Sequence, residues 1–317
     1  MKYKSLLIVG GTGFFGKSIL DYFHNYNSLK INKIIIFSRR AHKIKINKTL
    51  KKKIKITTMS GNILKIKELP RVDYVIYAAI LKNYSQDLKA VKNYLNLAVK
   101  YHLNSKILYI SSGAVYGTQR TKEKKMKENY LEKYKKINFK NGYKKNYSVI
   151  KLKNENLFKE LGTQGLKISI ARCFTFVGRH LPLNSHYVIG NIINNILKKR
   201  KINIKSNYKI VRSYMYSDVL VSWLLKILNH SNISCPIYNV GSDNKISIQN
   251  TAENLAKNYF LNFSYPKINL IKKDIYIPCV YKAKKVLKLK NNISSMEAII
   301  KTIKLLKQDD NKKKHNN

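Results

Sequence analysis

Tyr147 and Lys151 stand four positions apart in a segment whose apolar spacing predicts a helix. Residues four apart share one helix face, so the phenol and the ammonium should lie side by side. A phenol has an ordinary pKa of about 10, and a neighbouring ammonium lowers that pKa because it favours the phenolate. Tyr147 could then exchange a proton with a substrate hydroxyl during hydride transfer to or from a nicotinamide. Ser112, which follows a predicted strand, would hydrogen-bond the same oxygen, and these three residues are the catalytic candidates.

A glycine-rich turn near the start of the chain predicts where a dinucleotide would bind. The apolar residues 5–9 run directly into the sequence GGTGFFG at 10–16, and an amphipathic segment at 17–26 follows. This order predicts a strand, a tight turn and a helix. Glycines let the backbone approach a pyrophosphate, and the free N–H groups of a helix N-terminus attract an anion. The expected cofactor contacts in this turn are Gly10, Thr12, Gly13, Phe14, Phe15 and Gly16.

The end of the second predicted strand bears on which dinucleotide is bound. In an NAD site an acidic residue at this place binds the ribose 2′-hydroxyl. This chain has Ser38, Arg39 and Arg40 there instead. A small hydroxyl and two guanidinium groups suit a 2′-phosphate, so the sequence favours NADP over NAD.

Two further strand ends complete the predicted cofactor site. Asn62 and Ile63 follow the third strand, where a polar side chain could hydrogen-bond the adenine amino group. Ala78 and Ala79 follow the fourth strand and are small enough for the cofactor to pass beside the backbone. Tyr147 and Lys151 are expected to touch the cofactor as well as the substrate.

The elements that must position these residues alternate between strands and helices. The predicted strands lie at 34–37, 54–59, 74–79, 107–111, 167–172 and 237–240. The predicted helices lie at 86–101, 147–161, 188–199, 219–229, 248–260 and 295–307. Repeated β–α units imply a parallel sheet with crossover helices.

We expect three parts along the chain. Residues 1–172 form the cofactor-binding domain, with a surface insertion at about 121–145, and residues 173–307 form a substrate-binding lobe. Residues 308–317 are polar and predict a disordered tail. Because no linker rich in Pro or Ser and no internal repeat separates the two lobes, they should pack as one body.

The charge, apolar runs and cysteines of the chain bear on whether it binds nucleic acid, a membrane or a metal. The net charge is +47, yet only 8 of the 63 basic residues are Arg, and the excess Lys accompanies abundant Asn and Ile. These three residue types share A/T-rich codons, so a biased genome explains the charge better than nucleic-acid binding does. No apolar run is long enough to cross a membrane. The three cysteines are far apart, which predicts a reduced cytoplasmic protein without disulfides or a zinc site.

Six motifs spread over residues 5–290 resemble those of the extended short-chain dehydrogenase/reductases, also called the NAD-dependent epimerase/dehydratase family. They are GGTGFFG at 10–16, SSGAVYG at 111–117, Tyr147 to Lys151 with Glu155, ARCFTFVG at 171–178, RSYMY at 212–216 and YNVGS at 238–242. The resemblance is greatest to members that act on nucleotide sugars. It implies an α/β fold: a Rossmann-type doubly wound parallel sheet with a smaller C-terminal α/β substrate lobe.

The resemblance also assigns roles. Ser112, Tyr147 and Lys151 fall on the catalytic triad of the family, and Arg212 falls on an arginine that grips the substrate diphosphate. Lys272 or Lys273 lies near the place of a second such arginine. The remaining substrate contacts expected are Thr175, at the place of a common Asn, and His186, in a loop near the substrate lobe. No metal site is expected. Helices 86–101 and 147–161 should pair with their copies in a homodimer.

Departures from the family pattern separate the possible reactions. Dehydratases of the 4,6 type carry Asp-Glu directly after the catalytic hydroxyl residue, whereas this chain has Gly113 and Ala114. Water elimination therefore lacks its usual acid and base. The sequence favours C4 epimerisation or 4-keto reduction of a nucleotide sugar, with 4,6-dehydration as an alternative. A non-catalytic cofactor- or RNA-binding relative of the same fold is the other alternative. Polysaccharide synthesis is the pathway that the family suggests.

Overall fold

The computed structural model describes residues 4–81, 83–119, 125–133, 142–185 and 187–315. The strands are β1 Lys4–Val9, β2 Ile31–Ser38, β3 Lys55–Ser60, β4 Tyr74–Tyr77, β5 Lys106–Ser112, β6 Lys167–Cys173, β7 Phe176–Val177, β8 Ile202–Asn203, β9 Tyr208–Arg212, β10 Met215–Tyr216, β11 Ile237–Val240, β12 Ile246–Ser247, β13 Phe263–Ser264 and β14 Asn269–Ile275. The helices are α1 Phe14–Asn25, α2 Lys48–Lys53, α3 Tyr84–Tyr101, α4 Tyr130–Lys133, α5 Tyr143–Thr163, α6 Val188–Leu197, α7 Ser217–Asn229, α8 Ile248–Asn258, α9 Tyr281–Leu287 and α10 Ser295–His315.

The main sheet has seven parallel strands in the order β11-β6-β5-β4-β1-β2-β3. Its strands read as continuous apolar runs because both faces are covered by helices. Successive side chains point to opposite faces, so Ile8 packs with α1 and α7 while its neighbour Leu7 packs with α3 and α5. Trp223 of α7 is fully buried in this core, and its ring N–H donates to the Lys290 carbonyl over 2.9 Å. The prediction of a doubly wound parallel sheet is confirmed.

A second, smaller layer is built from the C-terminal half of the chain. Its core joins α6, α8 and α10 through apolar side chains such as Ile193, Leu255 and Ile299. A three-stranded sheet in the order β12-β9-β14 lies beside these helices. None of the helices in the described ranges is long and apolar enough to cross a bilayer.

The division predicted at residue 172 does not follow this layout. Strand β11 pairs with β6 at the edge of the main sheet, and α7 packs against β5 and β6. Part of the 173–307 segment therefore completes the first domain, and the chain passes between the two layers more than once. A linear boundary misses this return because strand pairing joins segments that are distant in sequence.

The prediction of a disordered tail at 308–317 is wrong for 308–315, since α10 continues to His315. One contact favours the helix there: Arg179 Nε lies 3.0 Å from Asp309 Oδ2. The polar composition that predicted disorder belongs to the outer part of a long helix whose earlier turns are anchored in the core.

The predicted surface insertion at about 121–145 is described at 125–133 and from 142 onward. Met126 is fully buried, and its N–H and carbonyl are hydrogen-bonded to Ile277 and Cys279, at 3.0 and 2.8 Å. Tyr130 is buried as well, whereas Lys127, Asn129, Glu132 and Lys133 are exposed. The predicted surface segment is therefore held to the protein body by two buried side chains. The following helix, α5, starts at Tyr143, earlier than the 147 predicted.

A buried ion pair holds α5 against the sheet. Arg172 of β6 and Glu155 of α5 are 2 % and 0 % exposed, and Arg172 Nη2 lies 2.8 Å from Glu155 Oε2. Ser111 of β5 also donates to the Glu155 carboxylate, and Arg172 Nη1 donates to the Tyr116 hydroxyl over 2.9 Å. Helix α5 thus reaches its place on β5 and β6 through charged hydrogen bonds as well as apolar packing.

Replacing Glu155 by Gln should lower the free energy of unfolding by about 3–5 kcal/mol, because it leaves the Arg172 charge buried without its partner. Urea-induced unfolding measures the change. The matched control is Glu253→Gln, which breaks an exposed pair with Lys257 and should cost about 0–0.5 kcal/mol. Equal losses in the two variants would contradict a structural role for the buried pair.

Candidate functional site

The predicted cofactor residues gather at one edge of the main sheet. Val9 lies opposite Phe37 and Tyr77 in the neighbouring strands, and Tyr77 lies opposite Tyr109. The turns that follow β1, β2, β4 and β5 therefore leave the sheet side by side at its carboxyl edge. Crevices at this edge are where doubly wound sheets bind ligands.

The glycine turn has the tight geometry that a pyrophosphate site needs. Gly10 has a φ of +86°, and a Cβ there would lie 2.6 Å from the Ala79 nitrogen. A Cβ on Gly16 would lie 2.1 Å from the Gly11 carbonyl oxygen. Gly13 precedes the first residue of α1, so the free N–H groups of that helix begin at the turn. The strand–turn–helix order is confirmed, and its backbone fits a dinucleotide phosphate.

The two phenylalanines of the turn pack on each other rather than projecting freely. The Phe14 and Phe15 rings meet edge to face with centroids 5.6 Å apart, and both contact Phe176 of β7. Contacts from Phe14 and Phe15 to a cofactor would therefore come mainly from their backbone N–H groups.

Ser38 links the glycine turn to the end of β2. Thr12 Oγ1 donates to Ser38 Oγ over 3.2 Å, and the Arg40 N–H donates to the same oxygen over 3.3 Å. The Arg39 and Arg40 side chains are both exposed beside it. Hydroxyl and guanidinium groups thus stand together at the place predicted for the ribose.

The other predicted cofactor residues are held by local contacts. Asn62 Oδ1 accepts from the Leu64 N–H over 3.1 Å, and Ile63 is buried in the core. Any cofactor contact from Ile63 would therefore use its backbone. The Ala78 N–H donates to the Val9 carbonyl over 2.8 Å, which extends the sheet contact past β4. Ala79 packs its backbone directly against Gly10.

Lys151 is a buried cation beside the end of β5. It is 4 % exposed, its Nζ donates to the Ile110 carbonyl over 3.0 Å, and it lies 4.9 Å from the centre of the Tyr109 ring. Burial lowers the pKa of Lys151, and the negative charge of Asp87 opposes that shift. The ammonium is thereby held inside the protein at a fixed place.

Ser112 and Tyr147 lie on β5 and α5, the two elements that pack together at that cation. Ser112 ends β5, and its Oγ accepts from the Ala114 N–H over 3.1 Å. Tyr147 is half-buried on α5, one helical turn before Lys151. Both Ser112 and Tyr147 act on the pKa of the Tyr276 phenol, the first through a hydrogen bond and the second electrostatically. The structure therefore brings the catalytic candidates to one place.

Sequence reasoning missed two residues here. Asp87 is 1 % exposed and accepts from the Leu81 N–H over 2.7 Å and from Asn154 Nδ2 over 3.0 Å. Asp87 lies in the helix predicted at 86–101 but was not among the predicted site residues. Tyr276 was not singled out at all. Neither residue belongs to a motif, so no local signal could have found them.

Two of the predicted substrate residues are already engaged within the protein. Arg212 Nη2 lies 2.9 Å from Asp274 Oδ2, and Nη1 donates to the Asp274 carbonyl over 2.8 Å. The Thr175 hydroxyl donates to the Ser213 carbonyl. Arg212 is 19 % exposed, so a diphosphate would meet an arginine whose orientation Asp274 fixes.

Two further substrate-binding residues were predicted, Lys272 and His186. Lys272 belongs to β14, the strand that pairs with β9 and its Arg212. His186 lies outside the described residues. Within the described ranges, no group of three or more His, Cys, Asp or Glu side chains could hold a metal ion.

Comparisons of the sequence with known proteins show the family of this chain. A family model described as the NAD dependent epimerase/dehydratase family matches residues 6–241. The dTDP-D-glucose 4,6-dehydratase of Dictyostelium discoideum is 26 % identical over 278 residues, which are 80 % of this chain and 61 % of that protein. This chain thus spans about three fifths of the length of that relative.

Solved structures share the whole fold at low identity. The UDP-glucose 4-epimerase of Thermotoga maritima, in a structure with UDP-glucose, matches with a TM-score of 0.76 at 18 % identity, over 96 % of this chain and 99 % of that chain. MoeE5 in complex with UDP-glucuronic acid and NAD matches with a TM-score of 0.76 at 17 % identity over the same shares. RMD from Pseudomonas aeruginosa complexed with NADPH gives 0.73 at 18 %, again over 96 % and 99 %.

Proposed function

Because this chain belongs to the NAD-dependent epimerase/dehydratase family, we propose that it is an NAD(P)-dependent oxidoreductase of nucleotide-diphosphate sugars. Its reaction is C4 epimerisation or 4-keto reduction. One observation carries the proposal: the buried ammonium of Lys151 lies at the same sheet edge as Ser112, Tyr147 and the glycine turn. The similar epimerase bound to UDP-glucose supports the substrate class.

Each candidate residue has a distinct task in this reaction. The nicotinamide, when bound, supplies the hydride acceptor or donor. Tyr147 takes the proton of the sugar hydroxyl as the carbon is oxidised, or returns it on reduction. The Lys151 ammonium favours the phenolate of Tyr147, and its own burial strengthens that effect because little water screens it. The Ser112 hydroxyl hydrogen-bonds the same sugar oxygen and orients it.

A 4,6-dehydratase is the second candidate, and the named Dictyostelium relative favours it. Water loss needs an acid for the leaving hydroxyl and a base for the proton removed. Gly113 has no side chain, and Ala114 carries only a methyl group, so neither position can supply these groups. Redox chemistry without elimination therefore remains the leading proposal.

We propose NADP as the preferred cofactor. Arg39 and Arg40 are exposed at the end of β2, beside the Ser38 hydroxyl that anchors the glycine turn. A 2′-phosphate there would receive charged hydrogen bonds. Both cofactors occur among the similar structures, NAD in MoeE5 and NADPH in the Pseudomonas protein.

We also propose a cytoplasmic homodimer. Helices α3 and α5 pack together on one side of the main sheet, and Val99 and Leu103 leave apolar side chains exposed near the end of α3. Covering them with a second copy would remove apolar area from water. The cysteines are free, and Cys173 and Cys235 are buried, which suits a reducing compartment.

The dimer is tested by sedimentation at micromolar concentration, where a single species of twice the 36.9 kDa chain mass is expected. Replacing Val99 and Leu103 by Lys should shift the protein toward monomer. A wild-type protein that sediments as a monomer would refute the proposed assembly.

Replacing Tyr147 by Phe should lower kcat by about 100-fold or more, because the proton acceptor is removed while the ring stays. The assay incubates UDP-glucose or dTDP-glucose with NAD or NADP, and UDP-4-keto-6-deoxyglucose with NADPH. Products are identified by mass spectrometry and NMR.

The control is Tyr281→Phe, an exposed tyrosine with the same spacing to a lysine, Lys285. Full turnover by the Tyr147 variant would exclude the mechanism, and a 4-keto-6-deoxy product formed from dTDP-glucose would identify a dehydratase.

Replacing Arg39 by Ala should raise the Kd for NADPH by about tenfold, since a charged hydrogen bond contributes roughly 1.5 kcal/mol. The Kd for NADH should change by less than about twofold, since it has no 2′-phosphate to contact. Quenching of protein fluorescence measures both. Arg71→Ala, at an exposed arginine stacked on Tyr101, is the control. Tighter binding of NADH than NADPH by the wild-type protein would refute the preference.

A further inference from the structure

Tyr276 enters the site from the C-terminal half of the chain, directly after β14. Its backbone N–H donates to the Val211 carbonyl over 3.1 Å, and the next N–H, of Ile277, donates to Gln119 Oε1 over 3.1 Å. The Tyr276 ring packs against Phe174 in a tilted arrangement, with centroids 4.6 Å apart and an interplanar angle of 32°. These contacts hold both the backbone and the ring, so the hydroxyl has a defined place.

The Tyr276 hydroxyl lies where a side chain of residue 113 would otherwise be. A Cβ added to Gly113 would lie 2.6 Å from the Tyr276 hydroxyl oxygen and 2.6 Å from Phe174 Cε2. Both distances are shorter than carbon atoms tolerate, so a side chain at 113 would displace the tyrosine. The place of the phenol therefore requires a glycine at 113, and the space directly after Ser112 is filled by a group from a distant part of the chain.

The Tyr276 hydroxyl also lies beside the catalytic candidates, because Gly113 directly follows Ser112. Ser112, as a hydrogen-bonding neighbour, and Tyr147, through its charge, both act on the pKa of the Tyr276 phenol. Burial raises the pKa of Tyr276 well above its ordinary value, and Tyr147 raises it further. Tyr276 thus stays protonated at neutral pH and can donate a hydrogen bond, but it cannot serve as a base.

The Ser112 hydroxyl has one hydrogen to donate and two lone pairs to accept with. One lone pair is taken by the Ala114 N–H, at 3.1 Å. If the Tyr276 hydroxyl donates to the second lone pair, Ser112 can accept no more hydrogen bonds. Its own hydrogen must then point away from both donors.

We propose that Tyr276 is a positioning residue of this active site, which donates to Ser112 and so directs the Ser112 hydrogen toward the oxygen of the reacting sugar carbon. The inference rests on the hydride-transfer function proposed above. It also gives Gly113 a role, because any larger residue there would break the contact. The Arg212 guanidinium carbon lies 5.9 Å from the centre of the Tyr276 ring, so this tyrosine stands between the proposed diphosphate contact and the proposed hydride-transfer groups.

A double-mutant cycle tests this mechanism with four proteins: wild type, Tyr276→Phe, Ser112→Ala and the double variant. Phe keeps the stacked ring and removes only the hydroxyl. Tyr276→Phe should lower kcat by about 5- to 10-fold in the wild-type background, the loss that one hydrogen bond accounts for. In the Ser112→Ala background the same change should lower kcat by less than about twofold, because Tyr276 then has no serine to orient. Tyr281→Phe should leave kcat unchanged in both backgrounds.

An equal loss in both backgrounds would overturn the proposal, since it would mean that Tyr276 touches the sugar directly or acts only on the fold. The unfolding temperatures of the same four proteins, measured without substrate, provide a second readout. A real hydrogen bond predicts that the double variant loses less than the sum of the single losses, and additive losses would contradict it. If the wild type binds NADPH but turns over none of the named sugar nucleotides, the proposed function fails, and the unfolding data still decide whether Tyr276 and Ser112 are bonded.

Discussion

The buried ion pair between Glu155 and Arg172 holds together the helix and the strands that carry the proposed active site. Removing two charges from water costs free energy. Further hydrogen bonds offset that cost here, because Ser111 donates to the Glu155 carboxylate and Arg172 donates to the Tyr116 hydroxyl. The pair joins the middle of α5 to β6 and, through Ser111, to β5. Since the residue after Ser111 is the proposed catalytic serine and α5 carries the proposed catalytic tyrosine and lysine, this ion pair joins the two elements on which the proposed site is built.

The second constraint is electrostatic. Lys151 is a cation that is almost fully buried, and burial alone would lower its pKa and favour the neutral amine. The Ile110 carbonyl, the Tyr109 ring and the Asp87 carboxylate oppose that loss of charge. The protein thereby keeps an unscreened positive charge beside the proposed proton acceptor. Aromatic residues also line this place, and the neutral hydroxyl of Tyr276, whose ring packs against Phe174, lies over Gly113.

Much of the fold was predictable because it depends on local patterns. Continuous apolar runs separated by amphipathic segments specify a parallel sheet covered on both faces, and strands β1 to β6 confirm it. The errors have a common cause. Strand β11 and α7 return to the main sheet. Met126 is hydrogen-bonded to a segment that is distant in sequence, and α10 continues to His315, with a contact from Arg179 to its last turns. Each depends on partners far along the chain, which no local pattern reveals.

The candidate site divides in the same way. The sequence by itself determined the glycine turn and the Tyr147–Lys151 spacing, since a tight turn and a shared helix face follow from backbone geometry over a few residues. Only the tertiary structure decided that the charge of Asp87 acts on Lys151, that Asp274 holds Arg212, and that Tyr276 occupies the space over Gly113. These contacts join residues from separate elements, and their geometry is set by how the layers pack.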